Sequence, residues 1–554
     1  MTVSEVLVDR LLARGVDTFF GVPGTQTLPL NEVVDRRDDL RFVCARHETA
    51  VTHEAWGYAE ASGTPAATVV IPGPGDLHAA NGLRNALNDC TPMVHLSIET
   101  EPEVRGKGGI HETPPDTYDN LVKENVLVET PESVAAEVER AVEVATTHPK
   151  GPVRVGIPKN FLRMEAPQAE VGSHEPADPP GVSPAAIEDV AGRLRSAANP
   201  VVIGGNGVRA AEATDELLTV AESLDAPVAS TYKAKGVIPE DHDLYADIMS
   251  SGSSAALAEC FEESDAALAV GTDFDAVTTQ HWSYDLPDEL VHVTMDPSDF
   301  GSGYEPSVAL LADAKKALAA LAEELKADAG NPEQADTGRS GAERAGAVRA
   351  AKADRIAALA VDEAPFTSAS VLGTLREALP RNTVATGDSG GFRLWAAVAF
   401  EAYDHREYVH NGSWASMGCG LPAAIGAKVA EPDKPVVSLI GDGGLFMCLH
   451  ELHTAVAEEI PVVVVVANNN DYAIISAEAG REYELAADEY AWAGSPASFS
   501  GVAESLGMAA TCVETTAELT AAVEDALDRD GPTLIEVPTA QDEPQAGSWL
   551  SADE

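Results

Sequence analysis

The sequence predicts an α/β protein made of three doubly wound parallel-sheet domains. Three observations predict it. At 554 residues the chain is longer than a single core of roughly 100 to 200 residues can organise. Two stretches rich in Pro, Gly and acids break the apolar pattern, from Met164 to Pro184 and from Asp328 to Gly341. Elsewhere, short β-branched runs alternate with amphipathic stretches, the pattern of parallel α/β sheets.

The breaks leave domains at residues 1–163, 185–325 and 362–545, with an Ala-rich, charged helix expected before Ala360. Strands are expected at Ala66 to Ile71 in the first, Pro200 to Gly205 in the second, and Pro435 to Gly441 and Pro461 to Ala467 in the third. These runs are apolar at consecutive positions, so each strand should be buried on both faces. No apolar run approaches the roughly 18 to 20 residues of a membrane span, and Asp9 and Arg10 interrupt the stretch from Val6 to Leu12 that a signal peptide would need. A soluble, cytoplasmic protein is expected. The six cysteines form no CxxC pair, which argues for reduced side chains rather than zinc or disulfides.

The net charge of −54 accompanies 45% hydrophobic residues, so disorder does not account for it. The acids spread along the whole chain, against 24 Arg and 12 Lys. This balance disfavours nucleic-acid binding and points to a halophile, because at molar salt the Debye length falls to about 3 Å.

Chemistry concentrates at strand ends. After the strand ending at Ile440 comes Gly441-Asp442-Gly443-Gly444, followed by a helix with Leu445, Leu449, Leu452 and Val456 on one face. The next strand runs into Asn468-Asn469-Asn470. Open α/β sheets bind ligands at carboxyl ends of strands. A carboxylate, an amide oxygen and a backbone carbonyl suit Mg2+, and glycines let backbone N–H groups approach an anion. Alone, each motif is a common turn or loop. The spacing of 27 residues between Asp442 and Asn469, with a strand on each side, makes the pair specific.

That pair resembles the thiamine diphosphate signature of the acetolactate synthase and pyruvate decarboxylase superfamily. The resemblance implies that Asp442 and Asn469 are side-chain ligands to Mg2+ and that Asp471 gives its backbone carbonyl; Ala473 stands where the family usually has Gly. The segment from Ser413 to Val437 resembles the one that holds the cofactor bent, which places Met417 between its two rings and the Ala415 carbonyl at the 4′-amino group. "GDSGGFRLWAA" from Gly387 to Ala397 resembles a loop that meets the diphosphate, through Gly390, Gly391 and Phe392, while Gly441, Gly443 and Gly444 meet it from the other side. In the first domain Arg46-His47-Glu48, then "AWGYAEASG" and Gly73-Pro74-Gly75, resemble the pyrimidine-binding motif. Glu48 is thereby the acid that hydrogen-bonds N1′ and promotes removal of the C2 proton. In the family this Glu and the metal site serve one cofactor from different subunits, which implies a homodimer or homotetramer.

The likeness is weaker where a second substrate would sit. Acetolactate synthases have Phe-Gln-Glu where this chain has Ile110-His111-Glu112, and Gln-Trp where it has "YAIISAEAG" from Tyr472. The His-Glu pattern is closer to the guanidino-oxopentanoate and benzoylformate decarboxylase branch, and makes His111 a candidate proton donor. His78, where relatives often have Asn, is another candidate. Acetolactate synthases carry a non-redox FAD in the central domain. Here "GTDFDAVTT" from Gly271 lacks the usual Arg and "MSSGSSAA" from Met249 lacks the usual His-Gly, so FAD, ADP and an empty site are all open. Three functions follow: decarboxylation of a 2-oxo acid with transfer of the resulting enamine to a second carbonyl; the same decarboxylation with release of an aldehyde; and an inactive scaffold, which the intact Glu48, Asp442 and Asn469 disfavour.

The charge generates a direct prediction. The Tm should rise as KCl is raised from low to molar concentration, since screening removes like-charge repulsion. A flat or falling Tm would reject adaptation to salt.

Overall fold

The computed structural model describes residues 1–166, 178–327, 339–486 and 489–549. Most of both interrupting stretches lies outside the described residues. Three six-stranded parallel sheets account for the apolar runs.

The first sheet contains Thr18–Gly21, Arg41–Cys44, Ala66–Val70, Met93–Glu99, Glu124–Leu127 and Pro152–Pro158. Numbered along the chain, its strands lie in the order 2-1-3-4-6-5. The last sheet repeats that order with Val384–Gly387, Tyr408–His410, Val436–Gly441, Val463–Asn468, Ala509–Cys512 and Thr533–Pro538. The middle sheet differs. Its strands Pro200–Gly204, Val228–Thr231, Tyr245–Met249, Ala266–Val270, Leu290–Thr294 and Val308–Leu311 lie in the order 3-2-1-4-5-6. The central strands are buried throughout, as their unbroken apolar runs require. No helix among the described residues is long and apolar enough to cross a membrane.

Two expectations about helices have different outcomes. The Ala-rich stretch forms Gly341–Ala358, started by a reciprocal capping box between Ser340 and Glu343. The single helix expected through Leu445, Leu449, Leu452 and Val456 is instead two, Asp442–Cys448 and Glu451–Ala457. Leu445 and Leu452 still reach the core, but the break at Leu449 and His450 brings the His450 ring to 5.6 Å from that of His47.

The first and last sheets meet through equivalent helices, each following the second strand of its sheet: Glu48–Ser62 and Gly420–Ala430. Glycine sets their separation. A Cβ on Gly57 would lie 2.3 Å from the Ala423 carbonyl oxygen, and one on Gly426 would lie 1.8 Å from that of Glu54. Backbone therefore packs on backbone. The Glu54 side chain is fully buried at this crossing, with no hydrogen-bond partner for either oxygen. Burial, reinforced by Glu451 and Glu458, pushes its carboxyl well above 4.5, so the folded protein holds it neutral.

A raised folded-state pKa makes stability fall as pH rises, because the unfolded chain ionises first, near 4.5. Glu54→Gln keeps the neutral shape at every pH. The variant's Tm advantage over the wild type should be small near pH 4.5 and grow towards neutrality. A gap that does not change with pH would show that Glu54 is ionised in the fold.

Candidate active site

Two clusters of residues form at the carboxyl ends of the first and last sheets. In the first domain, Glu48 opens the helix Glu48–Ser62, whose N-cap is His47. The His47 Nδ1 accepts the Thr49 N–H at 3.2 Å. Glu48 Oε2 lies 3.1 Å from His78 Nδ1, and the His78 ring stacks on His47 at 4.6 Å. The Gly73-Pro74-Gly75 turn closes over this group: a Cβ on Gly75 would be 3.2 Å from Glu48 Oε1. Gly73 has φ +64° and accepts the backbone of His111, whose carbonyl oxygen would be 2.5 Å from an added Cβ. Thus the turn brings His111 into the neighbourhood of Glu48.

His111 itself has φ +61°, a conformation costly for a residue with a Cβ. Glu112 holds it there. Its carboxylate accepts backbone N–H groups from Gly106, Gly108 and Gly109, which keeps the acid below its usual range. The His111 Nδ1 is buried and has no hydrogen-bond partner among the described residues.

In the last domain, Asp442 is 4% exposed at the end of Val436–Gly441. Its Oδ1 accepts the Gly443 N–H at 2.8 Å, while Oδ2 is buried without a partner. Burial pushes the carboxyl up to about 6, partly offset by backbone N–H groups of Gly443 and of Asn469, Asn470 and Asp471. The loop from Asn469 to Asp471 therefore faces Asp442. Asn469 Oδ1 accepts the Asp471 N–H at 3.1 Å, and the Asp471 side chain is occupied by Ser476 Oγ at 2.6 Å. That leaves the backbone of Asp471 as its available group.

The glycines divide by role. Gly390, with φ +143°, and Gly441 have nothing within 4 Å of an added Cβ, so a ligand can approach their backbone. Gly391 opens the helix Gly391–Ala399 beside Ile474, and the Phe392 ring is buried in the core, so only its backbone can face a ligand. Gly443 lies against the Tyr472 ring and near Met417 Cε. Gly444 makes room for Asp388, whose Oδ2 would be 1.9 Å from a Cβ there. Ala415 has φ +49°, again a left-handed conformation held by its surroundings.

Three residues that the sequence reading did not select hold this site together. Asp388, fully buried, accepts N–H groups from Cys419 at 2.7 Å, Gly420 at 2.9 Å and Gly418 at 3.2 Å, fixing the loop that carries Met417. Asn81 Nδ2 donates to Ser416 Oγ at 2.7 Å, linking that loop to the helix Pro74–Asn88. Gln541 Nε2 donates to the Asn469 carbonyl at 2.9 Å. Asp388 lay within a quoted motif, next to the glycines that drew attention. Asn81 and Gln541 had no local signal.

Three six-stranded parallel sheets, two of one strand order, with acidic and amide side chains at carboxyl strand ends, place the chain in a ligand-binding α/β class. The comparisons make it specific. The N-terminal TPP binding domain, the central domain and the C-terminal TPP binding domain of thiamine pyrophosphate enzymes match residues 1–119, 187–321 and 388–537. The chain belongs to the thiamine pyrophosphate enzyme family. It is 30% identical to the chloroplastic acetolactate synthase of Arabidopsis thaliana over 96% of this chain and 81% of that one. It is 33% identical to the protein named Probable 2-ketoarginine decarboxylase AruI of Pseudomonas aeruginosa, over 85% of this chain and 82% of that one. A structure from Mycobacterium smegmatis, described as that of a candidate thiamin diphosphate-dependent enzyme, superposes with a TM-score of 0.81 at 24% identity, covering 97% of this chain and 99% of the other. It shares the fold.

Proposed function

We propose that this chain decarboxylates a 2-oxo acid with thiamine diphosphate and Mg2+ and passes the remaining fragment to a second carbonyl, as an acetolactate synthase-like enzyme. The observation that carries the reading is the buried Asp442 oxygen without a partner, facing the Asn469–Asp471 loop beside open glycines. A hard dication would satisfy it, held by the Asp442 carboxylate, the Asn469 amide oxygen and the Asp471 carbonyl. Gly390 and Gly441 offer backbone to a diphosphate. When bound, thiamine diphosphate supplies a nucleophilic carbon that takes up the acyl group and holds its electron pair as CO2 leaves.

The chain's own groups do the rest. Glu48, steadied through Oε2 by His78, would hold a proton for the aminopyrimidine. Met417 and the Ala415 carbonyl would hold the cofactor's two rings. Apolar side chains left exposed around the last domain's site, including Phe446, Met447, Ile475 and Tyr483, support a homodimer or homotetramer.

One observation favours release of an aldehyde instead. The Gly73–Gly75 turn sets His111 near Glu48, and its Nδ1 has no partner among the described residues, which supports an imidazole that protonates the fragment before it attacks a second carbonyl. The relative at 33% identity is named as a decarboxylase.

CO2 release from a panel of 2-oxo acids, with and without thiamine diphosphate and Mg2+, tests the common step. Cofactor-dependent release is expected, and its absence across the panel would reject the reading. Asp442→Ala should weaken Mg2+-dependent cofactor binding at least tenfold in calorimetric titration, equivalent to about 1.4 kcal/mol; unchanged affinity would remove Asp442 from the metal site.

His111→Gln separates the two fates. If His111 is the donor, the variant should raise the ratio of carboligated product to aldehyde by about tenfold, or about 1.4 kcal/mol of barrier. Mass spectrometry of both products measures it, and an unchanged ratio would leave His111 a structural role.

A further inference from the structure

The middle sheet has the strand order of dinucleotide-binding folds, in which the diphosphate sits where the order reverses. The reversal here lies between Pro200–Gly204 and Ala266–Val270, and a cleft of about 430 Å3 opens beside it towards the first domain. We propose that this cleft is closed to flavin and adenine nucleotides, so that the chain carries neither FAD nor ADP in its middle domain. The inference rests on the fold and the cleft lining, and does not depend on which reaction the enzyme performs.

Backbone geometry is the first reason. A diphosphate at a reversal point takes its hydrogen bonds from free N–H groups of the turn. Here Gly205 N–H donates to the Val270 carbonyl at 2.8 Å, Gly207 N–H to that of Gly271 at 2.8 Å, and Val208 N–H to that of Gly205 at 3.0 Å. The glycines serve contact between two loops. A Cβ on Gly205 would be 2.2 Å from the Gly271 oxygen, and one on Gly271 would be 2.6 Å from the Gly207 Cα. The helix that follows, Asn206–Ala210, has five residues, too few for a useful dipole at its start.

Charge is the second. Asp273, Asp275, Asp296, Asp299 and Asp313 all line the cleft, and no arginine is among its described lining residues. Burial raises Asp273, and raises Asp299 to about 6, which leaves Asp299 largely ionised at neutral pH. The lysines opposite compensate only in part. Lys123 Nζ is committed to the carbonyls of Val144 at 2.7 Å and Thr147 at 2.5 Å, and Lys233 Nζ to Glu60 at 2.9 Å and Asp89 at 3.2 Å. Lys150 is less committed, 3.5 Å from the Ala210 carbonyl, and with Lys123 it sets two ammoniums against five carboxylates. A diphosphate would add like charge to that wall. Molar salt screens the repulsion without freeing the N–H groups, so the exclusion persists at high KCl.

The test uses the full chain loaded with thiamine diphosphate and Mg2+. Flavin released by heating is quantified by fluorescence, and FAD and ADP are titrated calorimetrically at low and at molar KCl, with thiamine diphosphate titrated into apoprotein as the positive control. No released flavin and no saturable heat from either nucleotide are expected at both salt concentrations. About one flavin per chain, or saturable binding of either nucleotide at either salt concentration, would overturn the proposal.

Discussion

Glu60 joins all three domains. Lying near the end of the helix that begins at Glu48, it accepts Arg209 Nη1 at 3.1 Å, Lys233 Nζ at 2.9 Å and Thr91 Oγ1 at 2.5 Å. Both cations come from the middle domain, and they continue into the last: Arg209 Nε donates to the His405 carbonyl at 2.6 Å, and Lys233 Nζ to that of His410. The Trp56 ring lies 5.0 Å from Lys233. All these charges are buried, and such a group is costly unless each member is paired and hydrogen-bonded. Here the requirement is met only when three domains are docked, and the attraction of the two cations holds Glu60 below its usual range despite burial. The cluster therefore specifies a mutual arrangement that apolar packing alone would leave less sharply defined.

That arrangement reaches the candidate site through Asp89. Its Oδ2 is 3.2 Å from Lys233, while Oδ1 accepts the Gly412 N–H at 3.0 Å. Gly412 begins the loop that carries Ala415 and Met417, and Asp388 fixes the loop's far end at Gly418, Cys419 and Gly420. Between those ends, Asn81 binds both Ser416 and the Trp414 Nε1. Left-handed Ala415 is affordable in a loop tied at so many points. One helix thus carries the candidate acid at its start and the interdomain carboxylate near its end. The sites at Glu48 and Met417 are placed by the same buried charges.

The legible parts of the chain were those whose cause is local. Consecutive apolar residues made Val463–Asn468 and its neighbours recognisable as strands, and a glycine turn followed by a helix marked Asp442 as a residue at a strand end. Ser340 and Glu343 stand three apart and start a helix without help from elsewhere. The illegible parts depend on partners distant in sequence. Gly57 and Gly426 lie within recognised motifs, but their packing role appears only where two helices cross on them. Glu60 sits in "AWGYAEASG", yet nothing local marks it as the carboxylate that takes Arg209 and Lys233. Asp388 belonged to a recognised motif, yet its three N–H partners lie some thirty residues away. The break at His450 escaped because the periodicity of Leu445, Leu449, Leu452 and Val456 continues through it. For His111, sequence identified the residue, but only the fold shows its left-handed backbone and unpartnered nitrogen.

Three buried carboxylates of this acidic chain, Asp76, Glu54 and Asp442, meet burial differently, and the differences bear on the proposed site. Asp76, just after the Gly73–Gly75 turn, is paired: Oδ2 accepts Arg154 Nη2 at 2.6 Å and Ser97 Oγ at 2.7 Å, and Oδ1 is 3.0 Å from His95, so the acid stays strongly ionised. That fixes the turn over Glu48. Glu54 has no partner and lies where helices touch backbone to backbone, leaving room for a proton and nothing larger. Asp442 also lacks a partner for one oxygen, but its surroundings are of another kind: backbone N–H groups converge on it, a glycine with open space precedes it, and an amide and a carbonyl stand opposite. A protonated acid would waste those donors and acceptors. In the proposed function a cation would take the amide and carbonyl oxygens, and the Asp442 carboxyl, drawn back into its ionised form, would accept the N–H groups. The same physical deficit, a buried oxygen without a partner, is met by a proton where packing is closed, and where the fold leaves an opening it supports the proposed metal site.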